Sequence, residues 1–472
     1  MRWGLIGLSF ISLHLLFVFT SLHFAYERNL AEKPTLLLAS IELLAGALYL
    51  AAIHTIRNKP RDKASLLFII SVGLIVRAAL LNSTPALEDD YYRYLWDGAV
   101  TANGINPYAY APDQAMEDTP SSKVPHVLRN LAVESGTVIQ RVNHPNLRTI
   151  YPPVAQIAFA SAYWLQPWSI VAWRLTLFLF DSATLVILIM ILRTLGLPLC
   201  WVSVYYLNPV LLKEIFNSGH MDVVVLPFVL GAVFLAARRK YEWAAISLAA
   251  AMGVKVWPVV FLPIVLRPIL GDLRRLLLSL FFFALAGCAM FLPIYIAGLN
   301  TESGFIAYGQ QWEMNDALFM LFAWMSAFIL KVMGITALDG KLVARIVVAL
   351  MLATWVAWLA RKKIGESVEL FERCLLVVAA IFLLSPVQFP WYYTWMVPFL
   401  AIRPRTSLLL LTALLPLYYL RFHFVARDEA SVFDYGIVWL EYIPVWFLLV
   451  VEWYRESRGS RISPAIGAFL LL

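Results

Sequence analysis

Long uncharged apolar runs recur along the chain from end to end, separated by short charged segments. A helix needs about 20 apolar residues to cross the hydrocarbon core of a bilayer. Runs of that kind lie at about 4–25, 34–56, 64–82, 168–192, 199–216, 220–237, 273–299, 340–360, 370–387, 406–425 and 435–454. The pattern predicts an all-α polytopic membrane protein. The first run, from Trp3 to Tyr26, exceeds the roughly 7–15 residues of a signal-peptide core and ends in Tyr26-Glu27-Arg28, so it reads as a retained helix.

The charged punctuation sets a topology. Basic clusters stand at Arg57/Lys59/Arg61/Lys63, Arg238/Arg239/Lys240, Arg267/Arg274/Arg275, Arg361/Lys362/Lys363, Arg403/Arg405 and Arg455/Arg458/Arg461. The positive-inside rule makes these edges cytoplasmic. The N-terminus then lies inside and the loop 83–150 outside. Parity forces the segments 151–166 and about 315–334 to lie at, or re-enter, the outer face. It also makes 241–266 go out and return as two short helices broken near Lys255-Val256-Trp257-Pro258. Phe389-Pro390-Trp391 breaks the run 374–402 in the same way. Broken helices at membrane depth survive only where their backbone is buried in protein or lines a cavity. Both breaks therefore predict an outward-facing cavity.

Composition agrees. Hydrophobic types make up 61% and charged types 14%, against roughly 45–50% and 25% in soluble domains. That excludes a soluble enzyme, a disordered chain and a soluble body on one anchor. The 37 basic and 30 acidic residues give +7. Nearly half of the basic residues sit in the six edge clusters, so the excess is topology and implies no nucleic-acid partner. Cys200, Cys288 and Cys374 lie in apolar stretches without CxxC spacing, which implies neither a disulfide frame nor a zinc site. No internal repeat stands out, which counts against a transporter.

The scarce polar groups on the outer side are the candidate chemistry. The loop opens with Glu88-Asp89-Asp90-Tyr91-Tyr92-Arg93 and closes on His144-Pro145-Asn146 and Tyr151-Pro152-Pro153. A carboxylate at the membrane face can take a proton from a hydroxyl nucleophile, although a solvated helix end is the plainer reading of three acids. Asn217, His220 and Asp222 occupy an outer turn, and Lys255 the tip of a broken pair. Ionisable groups in membrane segments mark functional sites, while helix capping and snorkelling are their structural alternatives. Arg174, Asp181 and Arg345 read as structural pairs. The cluster Trp391-Tyr392-Tyr393-Trp395 suits either an interfacial belt or a groove for lipid or sugar. An acid, cations and aromatics beside the headgroups suit group transfer from a lipid-phosphate donor. The acid acts as base and a cation offsets charge on the leaving phosphate.

At these residues the sequence resembles the GT-C glycosyltransferases, multi-spanning enzymes that use polyprenyl-phosphate sugars. It is most similar to bacterial polyprenol-phosphate-mannose-dependent mannosyltransferases, with a fainter likeness to the catalytic subunit of the first mannosyltransferase of GPI-anchor assembly. The matching pieces, in order, are Asp89-Asp90-Tyr91 with Arg93, Trp96-Asp97-Gly98, Gly104-Ile105-Asn106-Pro107-Tyr108, Tyr151-Pro152-Pro153, Asn208-Pro209, Gly219-His220-Met221-Asp222, Gly253-Val254-Lys255-Val256-Trp257-Pro258 and Pro390-Trp391-Tyr392. They span about 64–402.

The resemblance implies a GT-C-like bundle of about 12–14 transmembrane helices. Residues 1–63 would be N-terminal helices, 64–402 a catalytic core holding the loop 83–150 with its short helices, and 403–472 C-terminal helices. It implies inverting transfer of a hexose, mannose first, to a lipid or glycan acceptor on the outer face of a bacterial inner membrane. Asp90 would be the base, or Asp89 beside it. Arg93, His220, Asp222, Lys255, Tyr151, Trp391 and Tyr392 would hold the donor phosphate and sugar. The related loop spaces its aspartates as D-x-D, whereas here they are adjacent, and no metal or other cofactor is expected. A flippase for lipid-linked sugars is the first competing reading. A polymerase or ligase using the loop cations Arg129, Arg141 and Arg148 is the second.

Overall fold

The computed structural model describes residues 2–56, 63–116, 124–298, 304 and 312–458. Arg57, Lys59, Arg61 and Arg461 of the basic clusters lie outside the described residues, as does the side chain of Arg458. Among the described residues the named elements are all helices, and the only strand-like pairing is one bridge between Met314 and Val387.

Eight described helices are long and apolar enough to cross a membrane: Trp3–Phe24, Thr35–Ile56, Lys63–Leu80, Ile170–Thr194, Leu273–Ala297, Gly340–Arg361, Thr406–Val425 and Ala430–Ser457. Pro209–Asn217 and Met221–Ala237, bent by 106°, make a ninth span if taken together. This all-α polytopic architecture is the expected class; of the remaining expected spans, Ser367–Leu384 is an 18-residue helix carrying Glu369, Glu372 and Arg373, and the others are broken. The run 199–216 is not one helix as expected. It divides at Asn208-Pro209, because Pro209 has no N–H to give and the Asn208 side chain caps the Leu211 amide at 3.1 Å. It then ends in a π-helical turn over Leu212–Asn217.

The expected breaks are present. Tyr241–Met252 stops before Lys255 and the chain resumes at Trp257–Phe261. Ser367–Leu384 stops before Pro390–Tyr393. Pro153–Leu165 and Ala317–Val332, with 13 and 16 residues, are short for a crossing.

Several charges inside the bundle are paired or hydrogen-bonded, because an isolated ion there is costly. Arg77 Nε lies 2.8 Å from Asp181 Oδ2, and the Tyr205 hydroxyl donates to the other oxygen at 2.8 Å. Arg174 donates to the carbonyls of Leu81 and Ser83, at 2.8 and 2.7 Å, and to that of Asn217. Arg345 pairs with Glu313 at 3.1 Å.

Three sets of contacts bring distant segments together at one place. Asn217 accepts from the Ala86 amide at 3.0 Å and donates to the Thr84 carbonyl at 2.7 Å, tying the 106° bend to the strip before the acids. Trp173 Nε1 donates to the Gly219 carbonyl at 2.6 Å, holding the bend's glycine, whose φ is 77°. The amide of Val154 donates to the Gly253 carbonyl at 2.8 Å, docking the first break on the Tyr151-Pro152-Pro153 strip. Helix Tyr91–Ala102 packs along Pro153–Leu165 at Gly98, where a Cβ would lie 2.5 Å from the Phe159 carbonyl oxygen.

Candidate active site

The acidic strip, the Tyr151-Pro152 strip and the two breaks surround a cavity of about 710 Å³. Glu88, Asp89, Asp90, Arg93, Tyr151, Lys255, Trp391 and Tyr392 all line it. Seven of the nine side chains expected at the site, drawn from segments about 300 residues apart in sequence, thus line one cavity.

Asp90 precedes helix Tyr91–Ala102 at the N-cap position, where a short acidic side chain ordinarily bonds the first turn. Here it makes no cap bond. Its carboxylate is aimed at the cavity, 33% exposed, with Oδ2 3.7 Å from His220 Nδ1. Burial and the neighbouring Asp89 push its pKa up to about 6. Asp89 is oriented differently, with Asn143 Nδ2 donating to its Oδ1. Its pKa is also raised by burial, and the Asn143 bond opposes the rise. Glu88 lies well above the usual carboxylate range, through burial, with Lys213 opposing and Glu214 and Asp90 adding. The three acids therefore differ in character. Asp90 is the one with its side chain a third exposed, no cap bond and a pKa near neutrality, Asn143 opposing the rise there as well.

Arg93 is buried in the wall. One terminal nitrogen donates to the Leu147 carbonyl, Nε lies 4.0 Å from Asp97, and Nη1 has no hydrogen-bond partner. Lys255 Nζ sits 2.7 Å from Asp222 Oδ1, which also accepts from Trp395 Nε1 at 2.6 Å. The ammonium lies 4.3 and 5.0 Å from the ring centres of Tyr392 and Trp395.

Two of the expected donor contacts are placed elsewhere. His220 and Asp222 do not line the cavity and are 0% and 1% exposed. The bend turns their side chains into the protein, so each meets the cavity through neighbours, His220 through Asp90 and Trp391, and Asp222 through Lys255 and Trp395. Trp391 is sandwiched between the rings of His220 and Phe389, at 3.8 and 4.2 Å, so its edge, not its face, meets the cavity.

Several groups were missed in the sequence. Glu214, behind His220, binds Lys213 at 3.1 Å and accepts from the Tyr419 hydroxyl. Two opposite charges inside an apolar run were the available signal. Asn143, Trp257, Tyr418 and Arg421 also line the cavity, the last paired with Asp434 at 2.9 Å. Trp257 stands in the break already noted beside Lys255, while nothing local marks Asn143, Tyr418 or Arg421 as cavity residues. Among the described residues no group of three or more His, Cys, Asp and Glu side chains is placed to hold a metal ion.

No curated protein and no solved structure matches the chain. A family model does. Residues 19–270 match the N-terminal domain of the alpha-(1->6)-mannopyranosyltransferases, in the family denoted MptA/B. The match covers more than half of the 472 residues. It contains the acidic strip, Arg93, Tyr151, the bend and Lys255, and stops short of Trp391. This multi-pass membrane protein is therefore a glycosyltransferase that belongs to the alpha-(1->6)-mannopyranosyltransferase family.

Proposed function

We propose that the chain transfers mannose from a polyprenyl-phosphate donor to a hydroxyl of a lipid or glycan acceptor, on the outer face of the bacterial inner membrane, with inversion and with Asp90 as general base. The observation that carries the reading is Asp90 itself. Its carboxylate faces the cavity, unused as a helix cap, with a pKa raised to about 6 by burial and by Asp89. A base of that pKa is ionised at neutral pH and accepts a proton better than an ordinary aspartate.

In the proposed step the acceptor hydroxyl attacks the anomeric carbon. The new C–O bond forms as the bond to the phosphate oxygen breaks, and that bond's electron pair leaves with the phosphate. The hydroxyl proton goes to Asp90. Arg93, with Nη1 unpaired, and Lys255 are the cavity cations available to the donor phosphate. Arg421 adds a third at the Tyr418 side. Trp257, Tyr392 and Trp395 give an apolar wall for sugar or prenyl chain. The step calls on no metal. A single displacement on a β-linked donor yields an α-glycoside.

The competing polymerase or ligase reading relied on loop arginines. Arg141 is taken up by Glu27 and the Tyr92 hydroxyl, and Arg148 by the carbonyls of Tyr108 and Ala297. That commitment to structure favours the monophosphate-donor reading. The test is purified protein with polyprenyl-phosphate mannose, polyprenyl-phosphate glucose or a nucleotide-mannose, each with membrane lipid extract. We expect an α-mannoside from the first alone. Mannose transferred only from the nucleotide sugar, or transfer with retention, overturns the reading.

A further inference from the structure

We propose that Glu214 and His220 are positioning residues for Asp90, joined to it in a carboxylate–imidazole–carboxylate chain in which His220 Nδ1 turns its lone pair toward Asp90. The inference rests on Asp90 being the base and extends that role inward.

The geometry assigns the protons. Glu214 Oε1 is occupied by the Lys213 ammonium at 3.1 Å and by the Tyr419 hydroxyl. Glu214 Oε2 and both His220 nitrogens make no hydrogen bond, and Oε2 stands 3.4 Å from His220 Nε2. Both ring nitrogens face carboxylate oxygens, but Glu214 is the nearer and is fully buried, whereas the Asp90 side chain is 33% exposed, so the single imidazole proton is assigned to Nε2 and the lone pair to Nδ1. Nδ1 then faces Asp90 Oδ2 at 3.7 Å. The ring cannot easily turn away. It is fully buried and stacks on Trp391 at 3.8 Å, and the next layer is Phe389. The arrangement has the logic of a catalytic triad, in which a carboxylate fixes the imidazole tautomer and the far nitrogen meets the working group.

A lone pair beside Asp90 stabilises its protonated form, and so raises its proton affinity. The chain thereby makes Asp90 a stronger base. Other charged and titratable groups also bear on Asp90: Glu88 and Asp89 on its own strip, and Lys255 and Asp222 across the cavity. Arg93 lines the same cavity, and the hydroxyls of Tyr94, Tyr151 and Tyr418 lie close by. His220 is itself faced by Glu214, Lys213 and Lys255. All these groups keep their charge in His220→Phe, so its difference from wild type isolates the chain, whereas Glu214→Gln also takes the carboxylate from the Lys213 ammonium.

The experiment is the pH profile of kcat/KM for transfer from polyprenyl-phosphate mannose, on the purified full chain, for wild type, His220→Phe and Glu214→Gln. The phenyl ring keeps the stack on Trp391. The glutamine keeps the shape of Glu214, lets the proton move to Nδ1, and provides a second route should the first variant not fold. In both, the acid limb is expected to move to lower pH by about one unit, with kcat reduced roughly tenfold. A limb that stays put, or moves to higher pH, overturns the chain. Asp90→Asn separates the two claims. If it abolishes transfer while the other variants leave the limb unmoved, only the chain fails. If it retains the wild-type limb, Asp90 is not the base.

Discussion

Lys255 Nζ lies 2.7 Å from Asp222 Oδ1, and the same oxygen accepts the Trp395 indole N–H at 2.6 Å. Three segments meet in these two bonds: the first helix break, the floor of the 106° bend and the second break. Asp222 is 1% exposed and its other oxygen has no partner. Removing the lysine leaves a buried carboxylate without a cation. Lys255→Met is expected to cost roughly 3–5 kcal/mol, read as a lowered unfolding midpoint in detergent. The double variant Lys255→Met/Asp222→Leu should recover part of it. Equal loss in single and double variants would show that the pair does not hold the breaks together.

The pKa of Asp90 sets a pH dependence. Burial first, and Asp89 second, raise it to about 6. The base must be ionised, so the competent form is lost as pH falls through that value. The value of kcat/KM should be flat above about pH 7 and drop tenfold per unit well below 6. A profile flat down to pH 4.5 would mean that no raised carboxylate is required.

Asp89 separates the two aspartates. Its negative charge helps to raise the pKa of Asp90, and its own oxygen is held by Asn143. Asp89→Asn should therefore shift the acid limb to lower pH and keep activity within about tenfold. Complete loss in Asp89→Asn with retained activity in Asp90→Asn would reverse the assignment.

Gly98 sets how closely the helix after the acids approaches its partner. A Cβ there would stand 2.5 Å from the Phe159 carbonyl oxygen and 2.7 Å from its carbon. Backbone atoms cannot yield as a flexible side chain does. Gly98→Ala should force Tyr91–Ala102 away from Pro153–Leu165, destabilise the protein by roughly 1–3 kcal/mol and lower kcat by displacing Asp90. An unchanged unfolding midpoint and rate would contradict the close packing.

What the sequence made legible follows from the solvent. In an apolar chain each polar residue stands out, so Asp89, Asp90, Arg93 and Lys255 could be picked by eye, and prolines at 258 and 390 marked where helices break. Parity of basic clusters found the short segments 153–165 and 317–332 because charge distribution follows the membrane. What stayed hidden depends on side-chain direction. Whether His220 and Asp222 face the cavity or the protein is decided by a bend of 106°, which residue types do not encode. Trp391 reads as a stacking platform until both its faces are seen to be covered. Lys213 and Glu214 are adjacent in sequence, and only Tyr419, some 200 positions on, shows that one oxygen is held and the other turned to His220.

The most direct test of the central claim is transfer by Asp90→Asn. Asparagine keeps the shape of the side chain and cannot take a proton. With purified protein, polyprenyl-phosphate mannose and membrane lipid extract, the account predicts that donor binding survives. It predicts that α-mannoside formation in a single turnover falls by roughly 10²–10⁴-fold, while the unfolding midpoint stays near that of wild type. Single-turnover transfer at the wild-type rate by a folded Asp90→Asn protein would contradict it.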